Sequence, residues 1–296
     1  MHEAIAAHVH DGDTVVIEGF THLICFAAGH EIIRQRRRDL TLCRLTPDLI
    51  YDQMIGAGCA RKLVFSWAGN PGAGSLHAFR RAVEHPPPRG ALEIEEYSHF
   101  GMVARLAAGA ARMPFWPVRT YAATDLPSVN PRIAAVTCPY TGERLATVPA
   151  LNPDVTIIHA QRADAQGNTQ IWGLLGVQRE AAFASSRVIV VVEELVDERV
   201  IRSDPNRTVV PGFVVDAVVV EPWGAHPSYA QGHYDRDNEF YVAWEEISRD
   251  PDRLASYLDS HVHGVPDRSG YLALYPGLQE RLRAQPRMAA GVSYGY

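Results

Sequence analysis

Short runs of apolar, mostly β-branched residues recur along the chain, and turn residues bound each run. These runs predict β-strands at 14–17, 40–43, 63–65, 155–159, 188–192 and 214–220. The apolar residues within them are continuous rather than alternating, which is typical of strands that are covered on both faces. The pattern therefore predicts a buried and largely parallel sheet.

Helix-like stretches separate many of these strands. They predict helices at 2–9, 26–36, 49–55, 75–83, 102–112 and 177–185. Strands that alternate with helices in this way are typical of a parallel sheet with helices on both faces. We therefore expect an α/β fold, a three-layer α/β/α sandwich around a mostly parallel central sheet.

Two regions depart from this alternation. Residues 116–151 lack a clear period and contain several helix-breaking prolines, so we expect either irregular chain packed on the sheet or an excursion of short strands. Past residue 265 the pattern weakens. We therefore expect one domain over 1–265 and a C-terminal extension over 266–296, which ends in a loose tail at 291–296.

The composition argues against several classes of protein. The chain has 296 residues and 47% hydrophobic content, but no apolar run approaches the roughly 18 residues that a membrane span needs. The first residues lack the features of a signal peptide, so we expect a cytoplasmic protein. Basic residues cluster only at 34–38 and the net charge is −6, which argues against nucleic-acid binding.

The four cysteines do not have the spacing of a metal or redox site. None belongs to a CxxC pair and all have apolar neighbours, so we expect small buried hydrophobes in a reducing compartment. We accordingly expect no metal site.

The first segment that could carry chemistry is the turn Glu18-Gly19-Phe20-Thr21, which follows the first predicted strand. Glycine allows a backbone path that a side chain would obstruct, and ligands of open α/β sheets bind at the carboxyl ends of strands. These four residues are therefore candidate substrate-binding positions. A tight turn without a ligand fits the motif equally well.

A second glycine-rich segment, at 67–75, connects the third predicted strand to a predicted helix. Gly74 and Ser75, with Ser75 as the expected N-cap, form a possible cradle for an anion. The segment matches neither the P-loop nor the dinucleotide pattern, so a plain connection is the favoured alternative.

The third segment is an acidic strand that runs into a polar turn. Alternation places Glu95 and Tyr97 on one face and Glu96 and Ser98 on the other. Glu96, Ser98 and His99 could then meet in one pocket, where a histidine beside a carboxylate serves as an acid–base pair. The alternative is a capping cluster with Ser98 as the N-cap.

Two further strand ends carry histidines. His159 and Gln161 lie in a polar run after a buried strand, where a structural role is at least as well supported as catalysis. His226 follows a rigid Pro- and Gly-containing turn, and there a structural histidine is the favoured interpretation.

Taken in order, these segments resemble a known family. The motifs are GDTVVIEGFTH at 12–22, EEYSHFGMVARLAAGAARMPFWPVR at 95–119, DVTIIHAQRADAQGNTQIWG at 154–173, VPGFVVDAVVVEPWGAHPS at 210–228 and HYDRDNEF at 233–240. They resemble the α subunit of glutaconate CoA-transferase and its relatives in CoA-transferase family I. The resemblance covers roughly residues 1–260.

The resemblance implies a partner and a reaction. In this family a homologous β subunit pairs with the α chain as a heterodimer, heterotetramer or larger assembly, and the active site lies between them. The β chain carries a glutamate that takes up CoA in a Ser-x-Glu-Asn/Ser-Gly type motif, which this sequence lacks. The chain is thus expected to help move CoA between carboxylic acids, with an acyl-CoA and a small acid as substrates and no bound cofactor.

Two departures from the family pattern leave alternatives open. Glu18 stands where the family has the first of two glycines, and Ile24-Cys25-Phe26 replaces a polar or basic element. The same scaffold hosts CoA-thioester hydrolases, C–C lyases and decarboxylases, and His99 aligns with a catalytic glutamate of one such hydrolase. The remaining alternative is a non-catalytic scaffold subunit.

Overall fold

The computed structural model describes residues 1–85 and 90–284. Within these residues the chain alternates between strands and helices through most of its length, as the hydrophobic pattern predicts. The strands are β1 (Thr14–Glu18), β2 (Leu40–Cys43), β3 (Ala60–Phe65), β4 (Glu93–Glu96), β5 (Phe115–Val118), β6 (Ala134–Thr137), β7 (Arg144–Pro149), β8 (Val155–Ala163), β9 (Thr169–Gln170), β10 (Arg187–Leu195), β11 (Thr208–Val210) and β12 (Ala217–Val220).

Helices cover both faces of the sheet and continue beyond its last strand. The α-helices are α1 (His2–His8), α2 (Phe26–Arg34), α3 (Leu49–Gly56), α4 (His77–Glu84), α5 (His99–Ala110), α6 (Leu126–Val129), α7 (Gln178–Ala184), α8 (Glu198–Ser203), α9 (Asn238–Arg249), α10 (Pro251–Leu258), α11 (Arg268–Ala273) and α12 (Leu278–Leu282). Short 3₁₀ turns lie at Pro205–Arg207 and Gly212–Val214, and a π-helical turn lies at Asp259–His263.

The central sheet is mostly parallel. Its order is β11-β9-β8-β1-β2-β3-β4, and β10 pairs with β8 on one side and β12 on the other. The contacts of β9 and β11 are antiparallel, and the other pairings of this sheet are parallel. The expected α/β/α sandwich is confirmed. The predicted strand at 214–220 is shorter, because its first residues form a 3₁₀ turn and pairing begins at Ala217.

The continuous apolar runs reflect burial on both faces of the sheet. Along β1, Val15 and Ile17 pack into a core with α2 and α3, whereas Val16 packs into a second core with α5 and α7. All three side chains are buried. Because successive side chains of a strand point to opposite faces, both faces must be apolar for both helix layers to pack.

The pairing of β8 decides what lies above the end of β1. β10 occupies one side of β8 along its whole length, and β1 occupies the first part of the other side. β9 pairs with the last two residues of β8, so it lies on the β1 side, beyond the point where β1 ends. The chain that follows β9, residues 171–177, is therefore brought over the carboxyl end of β1.

Residues 116–151 form the predicted excursion rather than irregular chain. β5, β7 and β6 make a separate three-stranded antiparallel sheet. Two side chains attach it to the end of β4: Tyr121 Oη accepts the Ser98 N–H at 3.1 Å, and Asn130 donates to the Glu96 carbonyl at 2.8 Å.

Residues 266–284 pack on the body of the protein. Arg268 donates to the carbonyls of Trp223 and His226, and Tyr271 is fully buried. The loose tail predicted at 291–296 lies outside the described residues. In the described part of the chain, none of the helices combines the length and the apolar character that crossing a bilayer requires.

Three of the four cysteines are buried as expected, and one is not. Cys25, Cys43 and Cys59 lie in the interior, where they act as small apolar side chains. Cys138 is half-buried at the turn between β6 and β7, because its neighbours belong to the small sheet rather than to the core.

Candidate active site

The turn after β1 is held in a conformation that only glycine permits. A Cβ atom on Gly19 would lie 2.7 Å from the carbonyl oxygens of both His22 and Leu23, so a side chain there would force the backbone apart. Thr21 and Leu23 adopt left-handed φ angles of 57° and 56°. Such angles are costly for residues other than glycine and persist where surrounding contacts enforce them, often at functional sites.

Arg44 holds this turn from the neighbouring strand. It immediately follows β2, and its Nε lies 3.1 Å from the Gly19 carbonyl oxygen, which its Nη2 also contacts. Its Nη1 donates to Asp48 at 3.0 Å. Arg44 is buried, although the sequence analysis did not single it out. The available signal was an arginine at the end of an apolar strand with an aspartate four residues later.

Glu18 lies beneath the chain that follows β9. One carboxylate oxygen accepts the Val177 N–H at 3.3 Å, and a Cβ on Gly176 would lie 2.6 Å from the same oxygen. Burial raises the pKa of Glu18, while the charge of Arg44 acts in the opposite direction. The side chain is 1% exposed, so this candidate substrate contact supports the 176–177 loop instead of facing solvent.

His22 ties the turn to two distant loops. Its Nδ1 lies 2.9 Å from the Leu174 carbonyl oxygen, and the Gln231 N–H donates to its Nε2 at 3.0 Å. This pattern requires the neutral ring with the proton on Nδ1. Burial lowers the pKa of His22 to about 4, so the ring is neutral at physiological pH.

Further bonds fix the turn to the chain after β12. The Leu23 N–H donates to the Tyr229 carbonyl at 2.9 Å, and Ser228 Oγ donates to the Thr21 carbonyl at 2.9 Å. The Ala27 N–H, in the first turn of α2, donates to the Gly224 carbonyl at 2.9 Å. The N-terminus of α2, where a helix can bind an anion, is therefore partly occupied by the protein itself.

His159 and His226, the histidines of the two further strand ends, are structural in this arrangement. His159 Nε2 lies 2.6 Å from Glu193, which also accepts hydrogen bonds from Tyr234 Oη and the Trp223 N–H. Burial acts to raise the pKa of Glu193, but the contacts with His159 together with the hydrogen bonds from Tyr234 and the Trp223 N–H outweigh it and lower the pKa. This network fixes the 221–225 turn.

His226 is bound in a similar way. Its Nε2 lies 3.0 Å from Asp237, the N-cap of α9, and the imidazole is fully buried. Burial lowers its pKa to about 4. The contact joins the turn after β12 to the start of α9, which agrees with the favoured structural interpretation.

The glycine-rich segment at 67–75 does not form an open cradle. The Ser75 N–H donates to Glu245 at 2.9 Å, and a Cβ on Gly74 would lie 2.2 Å from the same carboxylate oxygen. The helix begins at His77 with Leu76 as its N-cap, so the expected Ser75 cap is wrong. The protein's own carboxylate occupies the position that a ligand anion would take.

The acidic segment at the end of β4 forms the capping cluster, not a shared pocket. Ser98 is the N-cap of α5, and its Oγ accepts the Gly101 N–H at 3.0 Å. Glu96 and His99 are exposed and make no hydrogen bond to each other within the described residues. Three strand spacings, roughly 14 Å, separate β4 from β1. The structure therefore does not bring these candidates to the Gly19 turn.

The other face of this strand carries a charged network that the sequence analysis missed. Glu95 accepts hydrogen bonds from Tyr97 at 2.7 Å and Arg105 at 2.8 Å, and it forms an ion pair with Lys62 at 2.6 Å. These contacts lower its pKa against the opposing effect of burial. Alternation correctly placed Glu95 and Tyr97 together, but the basic partners come from other elements.

Large apolar side chains are exposed along the edge where the strands end. Leu174 and Leu175 follow β9, Trp67 follows β3, Ile94 lies within the edge strand β4, and Phe100 follows that strand. Each is between 44% and 53% exposed. Exposed apolar residues at one edge of a sheet are a common property of surfaces that contact another protein.

Comparison with known proteins identifies the family. The sequence model described as Coenzyme A transferase matches residues 1–221. The chain belongs to this family. It is 54% identical over 273 residues to the A subunit of the 3-oxoadipate CoA-transferase of Pseudomonas knackmussii, and the match covers 92% of this chain and 96% of the relative.

Glutaconate CoA-transferase provides a second relative and a solved structure. The A subunit of the Acidaminococcus fermentans enzyme is 32% identical over 288 residues, covering 91% of this chain and 89% of the relative. The crystal structure of that enzyme matches with a TM-score of 0.91 at 30% identity, covering 99% of this chain and 97% of the matched chain. The family-I α-subunit resemblance is thereby confirmed, and CoA transfer by a heteromeric enzyme is the function that these relatives support. Such relatives imply a CoA thioester substrate and a partner subunit.

Proposed function

We propose that this chain is the α subunit of a CoA-transferase whose active site forms between the Gly19–Thr21 turn and a homologous β subunit. The 54% identity to the corresponding subunit of the 3-oxoadipate CoA-transferase over nearly the whole chain carries the proposal. The sequence lacks the Ser-x-Glu-Asn/Ser-Gly motif, so the nucleophilic glutamate belongs to the partner.

CoA transfer proceeds through two covalent intermediates on the partner's glutamate. The partner's carboxylate attacks the acyl-CoA carbonyl, the C–S bond breaks, and an acyl anhydride and the CoA thiolate form. The thiolate then attacks the glutamyl carbonyl, which gives an enzyme–CoA thioester and releases the first acid. The second acid reverses both steps. Each attack passes through a tetrahedral oxyanion, which fixed N–H donors stabilise.

The Gly19 turn supplies suitable donors. Within residues 1–85 and 90–284, no group accepts a hydrogen bond from the N–H of Phe20 or of Thr21. Both residues are half-buried, so they lie at the edge of the protein rather than in its core. Thr21 has a left-handed φ of 57°, which is one half of the backbone conformation found in concave anion-binding turns.

The acid acceptor is proposed to be a short dicarboxylate, with a 3-oxo acid such as 3-oxoadipate as the first choice. Both relatives described above are named for dicarboxylic acids, 3-oxoadipate and glutaconate. Glu18 does not repel such an anion directly, because it is buried beneath the 176–177 loop and lies near Arg44.

The assembly and its location follow from the same proposal. The exposed apolar edge formed by Trp67, Ile94, Phe100, Leu174 and Leu175 is the surface proposed to contact the β subunit. The enzyme is proposed to act in the cytoplasm, where CoA thioesters and free acids are both present.

Co-expression with the β-type protein tests the function. The purified complex should transfer CoA between thioesters and free acids in a panel that includes 3-oxoadipate and glutaconate. Borohydride should inactivate the complex when acyl-CoA is present, because it reduces the enzyme–CoA thioester. Hydrolysis of acyl-CoA without transfer to any acid, or a β subunit without the glutamate, would contradict the proposal.

A further inference from the structure

We propose that Arg44 is a positioning residue that orients the Phe20 N–H for the reacting acyl group. This inference rests on the proposed function, in which that N–H stabilises the oxyanion. Arg44 itself does not reach the substrate, since it is 1% exposed and its contacts lie within the protein. It acts through the peptide unit between Gly19 and Phe20.

Arg44 holds this peptide unit through hydrogen bonds to its carbonyl oxygen. Two nitrogens of the guanidinium, Nε and Nη2, donate to the Gly19 carbonyl, with Nε at 3.1 Å. The third, Nη1, is fixed by Asp48 at 3.0 Å. Asp48 is the N-cap residue of α3, so the fork is anchored to a helix as well as to β2. A planar fork held at both ends leaves the carbonyl little freedom to rotate.

The direction of the Phe20 N–H follows from these hydrogen bonds to the Gly19 carbonyl. The Gly19–Phe20 bond is trans, so the carbonyl oxygen of Gly19 and the N–H of Phe20 point in opposite directions in one rigid plane. With the oxygen held by Arg44, the N–H must point away from β2. No described group accepts it there.

The charge of Arg44 adds to the effect of its geometry. A cation bound to the carbonyl draws electron density through the amide, which makes the N–H at the other end a better donor. The guanidinium keeps its charge across the pH range in which the enzyme works. Glycine at position 19 is essential to the arrangement, because a Cβ would meet two backbone oxygens at 2.7 Å.

Arg105 offers a matched control. It is 3% exposed, and its Nε donates to the Pro149 carbonyl at 3.0 Å while its Nη1 donates to Glu95 at 2.8 Å. The two arginines therefore have similar burial and the same kinds of partner. Arg105, however, donates to a carbonyl that belongs to the small antiparallel sheet rather than to the candidate site.

The experiment compares Arg44→Lys with Arg105→Lys in the complex with the β subunit. Lysine keeps the charge but loses the fork. We expect Arg44→Lys to lower kcat about 10- to 100-fold, part of the loss seen when an oxyanion donor is removed, with KM for the CoA thioester changed less than about threefold. We expect Arg105→Lys to lower Tm by about as much as Arg44→Lys does, but to keep kcat within about threefold of the wild-type value.

A second variant covers the case in which Arg44→Lys does not fold. Arg44→Met combined with Asp48→Asn removes both charges, so no unpaired buried charge remains. It should show the same selective loss of kcat. Unchanged kcat in either folded variant, or an equal loss of kcat in Arg105→Lys, would overturn the inference.

A spectroscopic readout separates this inference from the proposed function. In a complex in which only the α chain carries ¹⁵N-phenylalanine, the Phe20 amide resonance should move in Arg44→Lys while the other phenylalanine amides stay in place. A stationary Phe20 resonance overturns the inference even if CoA transfer is observed. A wild-type complex that transfers no CoA refutes the proposed function, whereas a shifted resonance still supports the peptide geometry.

Discussion

Two glycine turns follow parallel strands of the same sheet, and they differ in what occupies them. At the turn after β1, Arg44 contacts the Gly19 carbonyl from the interior and Glu18 supports the neighbouring 176–177 loop, while the N–H groups of Phe20 and Thr21 have no described partners. In the turn after β3, Glu245 of α9 takes the Ser75 N–H. The two turns therefore differ in whether the protein's own side chains leave their N–H groups available or occupy them.

The largest expected effect is that of Gly19→Ala. The added Cβ would meet two backbone oxygens at 2.7 Å, so the turn must change shape. A displacement of about 1 Å is enough to cost about 100-fold in rate, and we expect at least that loss of kcat/KM in the complex.

Gly74→Ala is the matched control. Its Cβ would meet the end of the Glu245 side chain, which can move aside. Activity within about threefold of wild type is expected, with a lower Tm from the strained φ of 144°. Equal losses of activity in the two variants would show that the turns are equivalent.

The two turns should also differ in their response to acid. The pKa of His22 is about 4 in the folded protein against 6.5 in the unfolded chain, so its contribution to stability is complete above pH 6.5 and is lost as the pH falls towards 4. This difference corresponds to roughly 3 kcal/mol. Hydrogen bonds lower the pKa of Glu245 to about 2, so the other turn loses its contribution only as the pH falls from 4.5 towards 2.

Denaturant unfolding of His22→Gln between pH 7 and 4 checks this difference. The variant should lose less stability than wild type over that range, whereas His263→Gln, which changes an exposed histidine, should follow the wild-type curve. Part of the decrease in unfolding free energy with falling pH remains in every variant, because burial also lowers the pKa of His226 and His30. Parallel curves for His22→Gln and wild type would contradict the role given to His22.

Glu18→Ala is expected to have the next largest effect. It leaves the buried Val177 N–H without an acceptor, which costs about 1–3 kcal/mol. Because the 176–177 loop then loses its support beside the Gly19 turn, kcat should fall as well. Urea unfolding and steady-state kinetics of the complex measure the two effects. If neither changes, Glu18 does not support the 176–177 loop.

Glu245→Ala should have the smallest effect. The Ser75 N–H that it releases is only partly buried, so water can replace the carboxylate, and we expect a loss of less than about 1 kcal/mol. Activity should stay within about twofold of wild type. A large fall in activity would mean that the 67–75 segment takes part in the site after all.

The local sequence was a good guide to the elements and to the turn after β1. Continuous apolar runs predicted the six strands, since only strands buried on both faces need them. The position of Gly19 at a strand end was also visible, because a turn that excludes a side chain requires glycine. The excursion at 116–151 stayed ambiguous, since its short strands pair with each other and their pattern is weak.

The sequence by itself determined which segments are buried, where they end and where glycine must turn the chain. Only the tertiary structure decided at which strand ends the backbone N–H groups lack an acceptor among the described residues. His22 binds partners 152 and 209 residues away, and Ser75 is occupied by a carboxylate 170 residues away. Burial patterns are local and repeat along the chain, whereas a hydrogen-bond partner is chosen by packing, and no local pattern encodes that choice.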